Sequence, residues 1–179
     1  MQIKYRSQLK DLLKQFKMIG DSAEVGAASG LFSAEILSWG VPKLYMIDIW
    51  ETKPFFGCAS YEQSWHDFNY ESAKKHVEKY GDKAIFLKGM STDVVENIPA
   101  ESLSFIYIDA THTYEAVLED LKTYFPKLKK GGIMSGHDYL CKDYGVEQAV
   151  IEFCSQMGYI PNTIPEESIE NASFWFQKL

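Results

Sequence analysis

Ser22-Ala23-Glu24-Val25-Gly26-Ala27-Ala28-Ser29-Gly30 is a short apolar run carrying one acid, followed by a turn of glycine and small residues. Leu31-Phe32-Ser33-Ala34-Glu35-Ile36-Leu37 comes next, with apolar residues recurring at helical spacing. The pattern predicts strand, tight turn, helix, the opening unit of a nucleotide-binding α/β sheet. Glycine allows positive φ and a close approach of backbone to ligand, and the small neighbours keep such a crevice open. A purely structural strand-to-helix turn has a similar appearance, so the rest of the chain must decide.

The glycine spacing narrows the ligand. A dinucleotide fingerprint laid from Gly26 needs glycines where this chain has Ala28 and Leu31. Those glycines seat a pyrophosphate on the helix start, so their absence counts against NAD or FAD. An adenosine carrying a charged amino-acid tail fits better. Leu44-Tyr45-Met46-Ile47 reads as a buried second strand ending at Asp48, 18 residues beyond Gly30. Nucleotide-binding folds carry a ribose-binding acid at about this distance, and a carboxylate there accepts both ribose hydroxyl protons. The competing reading of Asp48 is a solvated acid at a strand end.

A chain of 179 residues is expected to form one domain. Hydrophobic residues are 46% and charged residues 24% of it, an ordinary globular balance. The net charge of −7 disfavours a nucleic-acid partner, whose affinity rests on Lys and Arg. Cysteines 58, 141 and 154 lack C-x-x-C spacing, which disfavours structural zinc and a disulfide framework. No apolar run approaches a membrane span, and Met1-Gln2-Ile3-Lys4-Tyr5-Arg6 has no signal-peptide core. The expectation is a cytoplasmic protein without a membrane partner. Whether copies associate as a homo-oligomer stays open.

Along the chain, Leu9, Leu12, Leu13 and Phe16 mark an N-terminal helix within residues 1–20, packed over a sheet edge. Residues 50–70 are rich in aromatics: Trp50, Phe55, Phe56, Tyr61, Trp65, Phe68 and Tyr70. Residues 61–79 suit a helix, with Trp65, Phe68 and Val77 packed on the sheet. For Trp50, Phe55 and Phe56 two readings stand, core packing or a mobile flap over the crevice. Ala84-Ile85-Phe86-Leu87 is a third strand and Leu103–Ile108 a fourth, ending at Asp109. Val117, Leu121, Tyr124 and Phe125 share a helix face that Pro126 and Gly131-Gly132 close. Ile133-Met134-Ser135 is a short fifth strand leading to His137-Asp138. Val146, Ala149, Val150, Phe153 and Met157 draw another helical stripe, with Tyr159-Ile160 and Ala172–Phe176 as final strands. The fold class is therefore α/β, a single doubly wound Rossmann-like sheet, mostly parallel, with an antiparallel C-terminal hairpin.

Ligands of open α/β sheets bind at the carboxyl ends of strands. Those ends carry Glu24, Asp48, Asp109 with His112, and His137 with Asp138. So many ionisable groups on one rim call for a counter-charge or a ligand. Asp109, His137 and Asp138 offer oxygen and imidazole donors to a divalent cation, Mg²⁺ or Mn²⁺ among them. Taken singly, His137-Asp138 reads as a turn and cap, and His112 as a hydrogen-bonded histidine near a helix start.

Glu24-x-Gly26-x-x-x-Gly30 resembles the first motif of class I S-adenosylmethionine-dependent methyltransferases. The segments Phe105-Ile-Tyr-Ile-Asp109-Ala-Thr-His112-Thr-Tyr-Glu115, Asp120-Leu121 and Leu128-Lys-Lys-Gly131-Gly-Ile-Met-Ser-Gly136-His137-Asp138-Tyr139 are more telling. They resemble a group of small class I enzymes that includes macrocin-type sugar O-methyltransferases and cephalosporin-hydroxylase-operon relatives. The likeness spans roughly residues 22–150. It implies an S-adenosylmethionine site lined by Glu24, Gly26, Ala27, Ser29, Gly30, Asp48, Ile49, Met90, Ser91 and Asp109. Ser91 or Thr92 reads equally well as a helix cap. The resemblance also implies a metal held by Asp109, His137 and Asp138, with His112 and Asp109 as catalytic groups and His112 as base. His137 stands where a carboxylate is usual, and Ala110-Thr111 where Gly-Asp is common. The implied reaction is O-methylation of a small-molecule hydroxyl, of sugar or natural-product type, with His112 near its ordinary pKa of about 6.5 taking the proton. The rival functions are a nicotinamide-dependent oxidoreductase and a non-catalytic cofactor-binding module.

Overall fold

A computed structural model describes residues 2–53, 62–165 and 172–179. Seven strands form one sheet: β1 (Ser22–Val25), β2 (Leu44–Asp48), β3 (Ala84–Lys88), β4 (Leu103–Ile108), β5 (Leu128–Gly136), β6 (Asn162–Ile164) and β7 (Ser173–Gln177). Their order is β3-β2-β1-β4-β5-β7-β6, so the chain turns back on itself between β1 and β4. The first five strands pair in parallel, and β7 pairs antiparallel with both β5 and β6. The expected parallel sheet with an antiparallel C-terminal hairpin is what forms.

Alternation along the buried strands divides the core into two layers. On one face, Ala23, Val25, Ile106 and Met134 pack under α5 (Tyr114–Tyr124) and α6 (Val146–Met157). On the other, Leu44, Met46, Phe105, Tyr107 and Ile133 pack against α1 (Leu9–Gln15), α2 (Leu31–Ser38) and α3 (Gln63–Val77). A one-turn helix, α4 (Ser91–Val94), follows β3. Among the described residues, no helix is long and apolar enough to cross a membrane.

Several expectations need correcting. Trp65 and Phe68 are exposed, at 41% and 70%, whereas His66, Asn69, Ala73 and Val77 form the buried face of α3. Where α3 passes the glycine turn, a Cβ on Gly30 would lie 2.8 Å from the Cα of Ala73, so only small residues fit at that point. Trp50 is not part of a flap but is buried at 1% exposure. Phe55, Phe56 and Tyr61 lie outside the described residues. Gly131 and Gly132 do not end a helix but fall within β5, which is nine residues long and shifts register against β4. Met157 is exposed and Cys154 takes the buried place on α6. The penultimate strand is Asn162–Ile164, and Ile160 is 86% exposed.

Candidate functional site

The crevice opens where β1 and β4 end side by side. Gly26 has φ of +94°, and a Cβ there would collide with the carbonyl oxygen of Asp109. Glycine at this position is therefore what lets the turn after β1 cross the tip of β4. The amides of Gly26 and Ala27 donate to the Ile47 carbonyl at 2.8 and 3.0 Å, and that of Gly30 to Ala27 at 2.7 Å. Ala28 sits at φ of +42°, with its amide donating to Asp48 Oδ2 at 2.8 Å. The Ser29 carbonyl faces His76 Nδ1 at 2.8 Å. The turn is thus stapled to β2 and α3, and Ile49 lies half-buried between Asp48 and Trp50.

Glu24 lies beneath this turn, and Ser33 at the start of α2 donates its hydroxyl to Glu24 Oε2. Burial pushes its carboxyl up to about 8; Ser33 and Arg6 oppose the shift, while Asp109 and Asp48 add to it. The Arg6 guanidinium stands 4.6 Å over the Phe32 ring. Nothing in the spacing of the N-terminal helix signalled that Arg6 would reach the rim.

Gly89 donates to the Asp48 carbonyl at 3.0 Å, which brings the loop after β3 beside Asp48. The Ser91 hydroxyl does not cap α4. It donates to Asp120 Oδ1 on α5 at 2.6 Å, and the Tyr124 hydroxyl donates to the Ser91 carbonyl at 2.9 Å. Met90 is the extended residue that precedes α4. Burial pushes Asp120 up to about 6 against the Ser91 hydrogen bond. Ser91→Ala is expected to destabilise the fold by about 1–3 kcal/mol above pH 6, where Asp120 is ionised, and by less at pH 4. Urea midpoints at the two pH values check this.

At the rim of β4 and β5 the four expected polar groups converge. His112 Nε2 lies 3.1 Å from Asp138 Oδ2 and 3.7 Å from Asp109 Oδ1. It is buried between the two carboxylates. His137 Nδ1 is 3.1 Å from the same Asp138 oxygen. Asp138 adopts φ of +55°, which aspartate tolerates, and this turn closes the rim. The carboxylates of Asp109 and Asp138 outweigh burial and raise His112 to about 9. Burial works against charge on Asp138, yet His112 and His137 prevail and hold its carboxyl below the usual range. The expected base is therefore a cation in this arrangement, a correction to the ordinary value anticipated for His112. Its ring stacks on Tyr144 with centroids 4.5 Å apart. Tyr144 went unnoticed in the sequence, its only mark being an aromatic beside Gly145 in the loop after β5.

Asp109, His137 and Asp138 each offer one donor atom, all within 4.8 Å of one another. Two carboxylates and an imidazole, half-buried and within reach of one another, fit a divalent cation such as Mg²⁺ or Mn²⁺.

Residues 23–139 match the family model described as a methyltransferase domain. No curated protein matches the sequence. Solved structures share the fold. The O-methyltransferase NovP has 20% identity and a TM-score of 0.70, over 96% of this chain and 77% of that one. The O-methyltransferase from Bacillus cereus in complex with SAH has 13% identity and a TM-score of 0.69, over 97% and 80%. Spermidine synthase from Thermotoga maritima has 14% identity and a TM-score of 0.61, over 97% and 60%. The glycine turn at the β1–β4 switch and the family match across it agree: the chain belongs to the methyltransferase-domain family and is an S-adenosylmethionine-dependent methyltransferase.

Proposed function

We propose that the protein methylates a hydroxyl group of a small molecule, of the sugar or natural-product kind. The observation that carries this reading is His112, gripped between Asp109 and Asp138 at the tip of the strand beside the glycine turn. S-adenosylmethionine supplies an electrophilic methyl group. The Gly26–Gly30 turn and Asp48 bind and orient its adenosine end, and Asp109 is the acid common to the turn and the rim. His112 is the proton acceptor for the hydroxyl. Asp109, His137 and Asp138 would hold a divalent cation, which polarises a bound oxygen and lowers its pKa. Carboxylates engaged in that way would hold the proton on His112 less tightly, and its acceptance range would move toward neutral pH. Positioning and electrostatics then supply most of the acceleration.

A nicotinamide-dependent oxidoreductase is not favoured, since the turn lacks the glycines a pyrophosphate needs and the family match is to methyltransferases. A binding module has no use for an imidazole between two carboxylates. The test is transfer of a labelled methyl group from S-adenosylmethionine to a panel of hydroxylated small molecules, with and without Mg²⁺ or Mn²⁺. Absence of binding heat with both the donor and S-adenosylhomocysteine would sink the reading. Asp48→Ala is expected to weaken S-adenosylmethionine binding by about 1–3 kcal/mol, through loss of charged hydrogen bonds, with turnover at saturation little changed. Titration calorimetry and saturation kinetics separate the two effects.

A further inference from the structure

Trp50 follows Asp48 and Ile49 at the end of β2. Two residues facing each other across the crevice floor, Ala28 and Trp50, both adopt left-handed backbone, at φ of +42° and +40°. Neither is glycine, and a bulky residue held this way marks a place where the surroundings impose the conformation. The hydrogen bonds show what imposes it. Asp48 divides its carboxylate, taking the Ala28 amide on Oδ2 at 2.8 Å and the Trp50 amide on Oδ1 at 3.0 Å. The Trp50 indole Nε1 reaches back and donates to the Ala28 carbonyl at 2.8 Å. Three bonds thus close a ring through residues 28, 48 and 50. The indole is in turn braced by Tyr70 and Phe86, with centroids 5.0 and 5.6 Å away.

We infer that Trp50 is a positioning residue, whose indole N–H holds Ala28 and the cofactor turn in ligand-accepting shape and, through the same ring of bonds, fixes the Asp48 carboxylate. The inference rests on the reading of Asp48 and the Gly26–Gly30 turn as the S-adenosylmethionine site. A carboxylate has about four acceptor sites, and two are spent on these amides. The other two remain in a fixed direction for the ribose hydroxyls. Without the indole donor, the Ala28 carbonyl is left unpaired and the left-handed residue at 28 has less to hold it. The turn then samples shapes that do not present its amides, and the ligand selects only the fraction that does.

The test removes one N–H. Trp50→Phe does so with some loss of ring size; site-specific benzothienylalanine at position 50 does so at nearly constant shape, in case the first variant folds poorly. The expected result is a Kd for S-adenosylhomocysteine about tenfold weaker, the size of a lost buried hydrogen bond. Turnover at saturating S-adenosylmethionine stays within about twofold, and the Tm of the benzothienylalanine protein falls by no more than about 6 °C, the cost of the same bond in the fold. Amide exchange at Ala28 in the ligand-free protein is expected to rise about tenfold. A Kd unchanged in the benzothienylalanine protein overturns the inference, as does a Kd change that merely tracks a large fall in Tm. Should the unaltered protein not bind S-adenosylhomocysteine at all, the cofactor reading fails. The Ala28 exchange rate then still decides whether Trp50 holds the turn, and an unchanged rate refutes it.

Discussion

His112→Ala is expected to lower kcat by about 10²- to 10⁴-fold, the usual contribution of a positioned general base, with the Kd for S-adenosylmethionine nearly unchanged. The pH profile is the sharper measurement. With Asp109 and Asp138 holding His112 at about 9, the free enzyme without divalent cation needs alkaline pH to bare the imidazole. Its kcat/KM should therefore rise through about pH 9 and level off above about 10. Saturation with Mg²⁺ or Mn²⁺ should move this limb toward acid, and chelation should return it. In His112→Ala the limb disappears. A profile with the same limb in the variant would reassign the proton acceptor. A large loss of cofactor affinity would make His112 a binding or structural residue.

Glu24→Gln is expected to make the protein more stable and a poorer binder. The sign follows from the raised carboxyl. Between its ordinary 4.5 and about 8, the folded protein holds a proton on Glu24 that the unfolded chain releases. Stability therefore falls as pH rises across that window. At about 1.4 kcal/mol for each tenfold in proton affinity, the penalty above pH 8 is on the order of 5 kcal/mol, and glutamine escapes it. His112 adds a second decline: its contribution is complete below 6.5 and lost as pH rises through about 9. Wild type should thus lose stability steadily through neutral pH, whereas the variant keeps only the decline of Asp120, complete by about pH 6, and that of His112 above 6.5. Urea midpoints at pH 5 and pH 8 test this, and equal midpoints for the two proteins at pH 8 refute it. The cost is expected in binding: a sulfonium held within reach of Glu24 would favour its ionised form. S-adenosylmethionine should then release protons at pH 7, seen as buffer-dependent heat, and release fewer from the variant.

The parts of the molecule that were legible from sequence are those where one residue answers one geometric demand. Gly26 is required because Asp109 occupies the space of its side chain, and a strand ending in an acid beside a glycine turn reads the same before and after folding. The convergence of Asp109, His112, His137 and Asp138 followed from counting strand ends. Elements whose burial depends on a neighbour were not legible. The inner face of α3 carries His66 and Asn69 while Trp65 and Phe68 face outward, polar in and aromatic out, the reverse of the hydrophobic pattern read along the chain. Trp50 stayed open between core and flap because nothing local says that Ala28 will offer its indole a carbonyl. The strand at Asn162–Ile164 was misplaced because it pairs on one side only, with β7, and two of its three side chains are exposed. The His112 value shifted for the same reason: a histidine's proton affinity belongs to its neighbours, and Asp138 is 26 positions away in the chain.

β7 is later in the chain than β6 but lies between it and β5. The sheet consequently cannot be completed in the order in which a ribosome delivers it. Until residues 173–177 emerge, β5 presents an open row of amides and carbonyls, and β6 has nothing to join. A nascent chain stalled in that interval would offer a ready template to a second copy of itself, making the span between β5 and β7 the most hazardous stretch of synthesis.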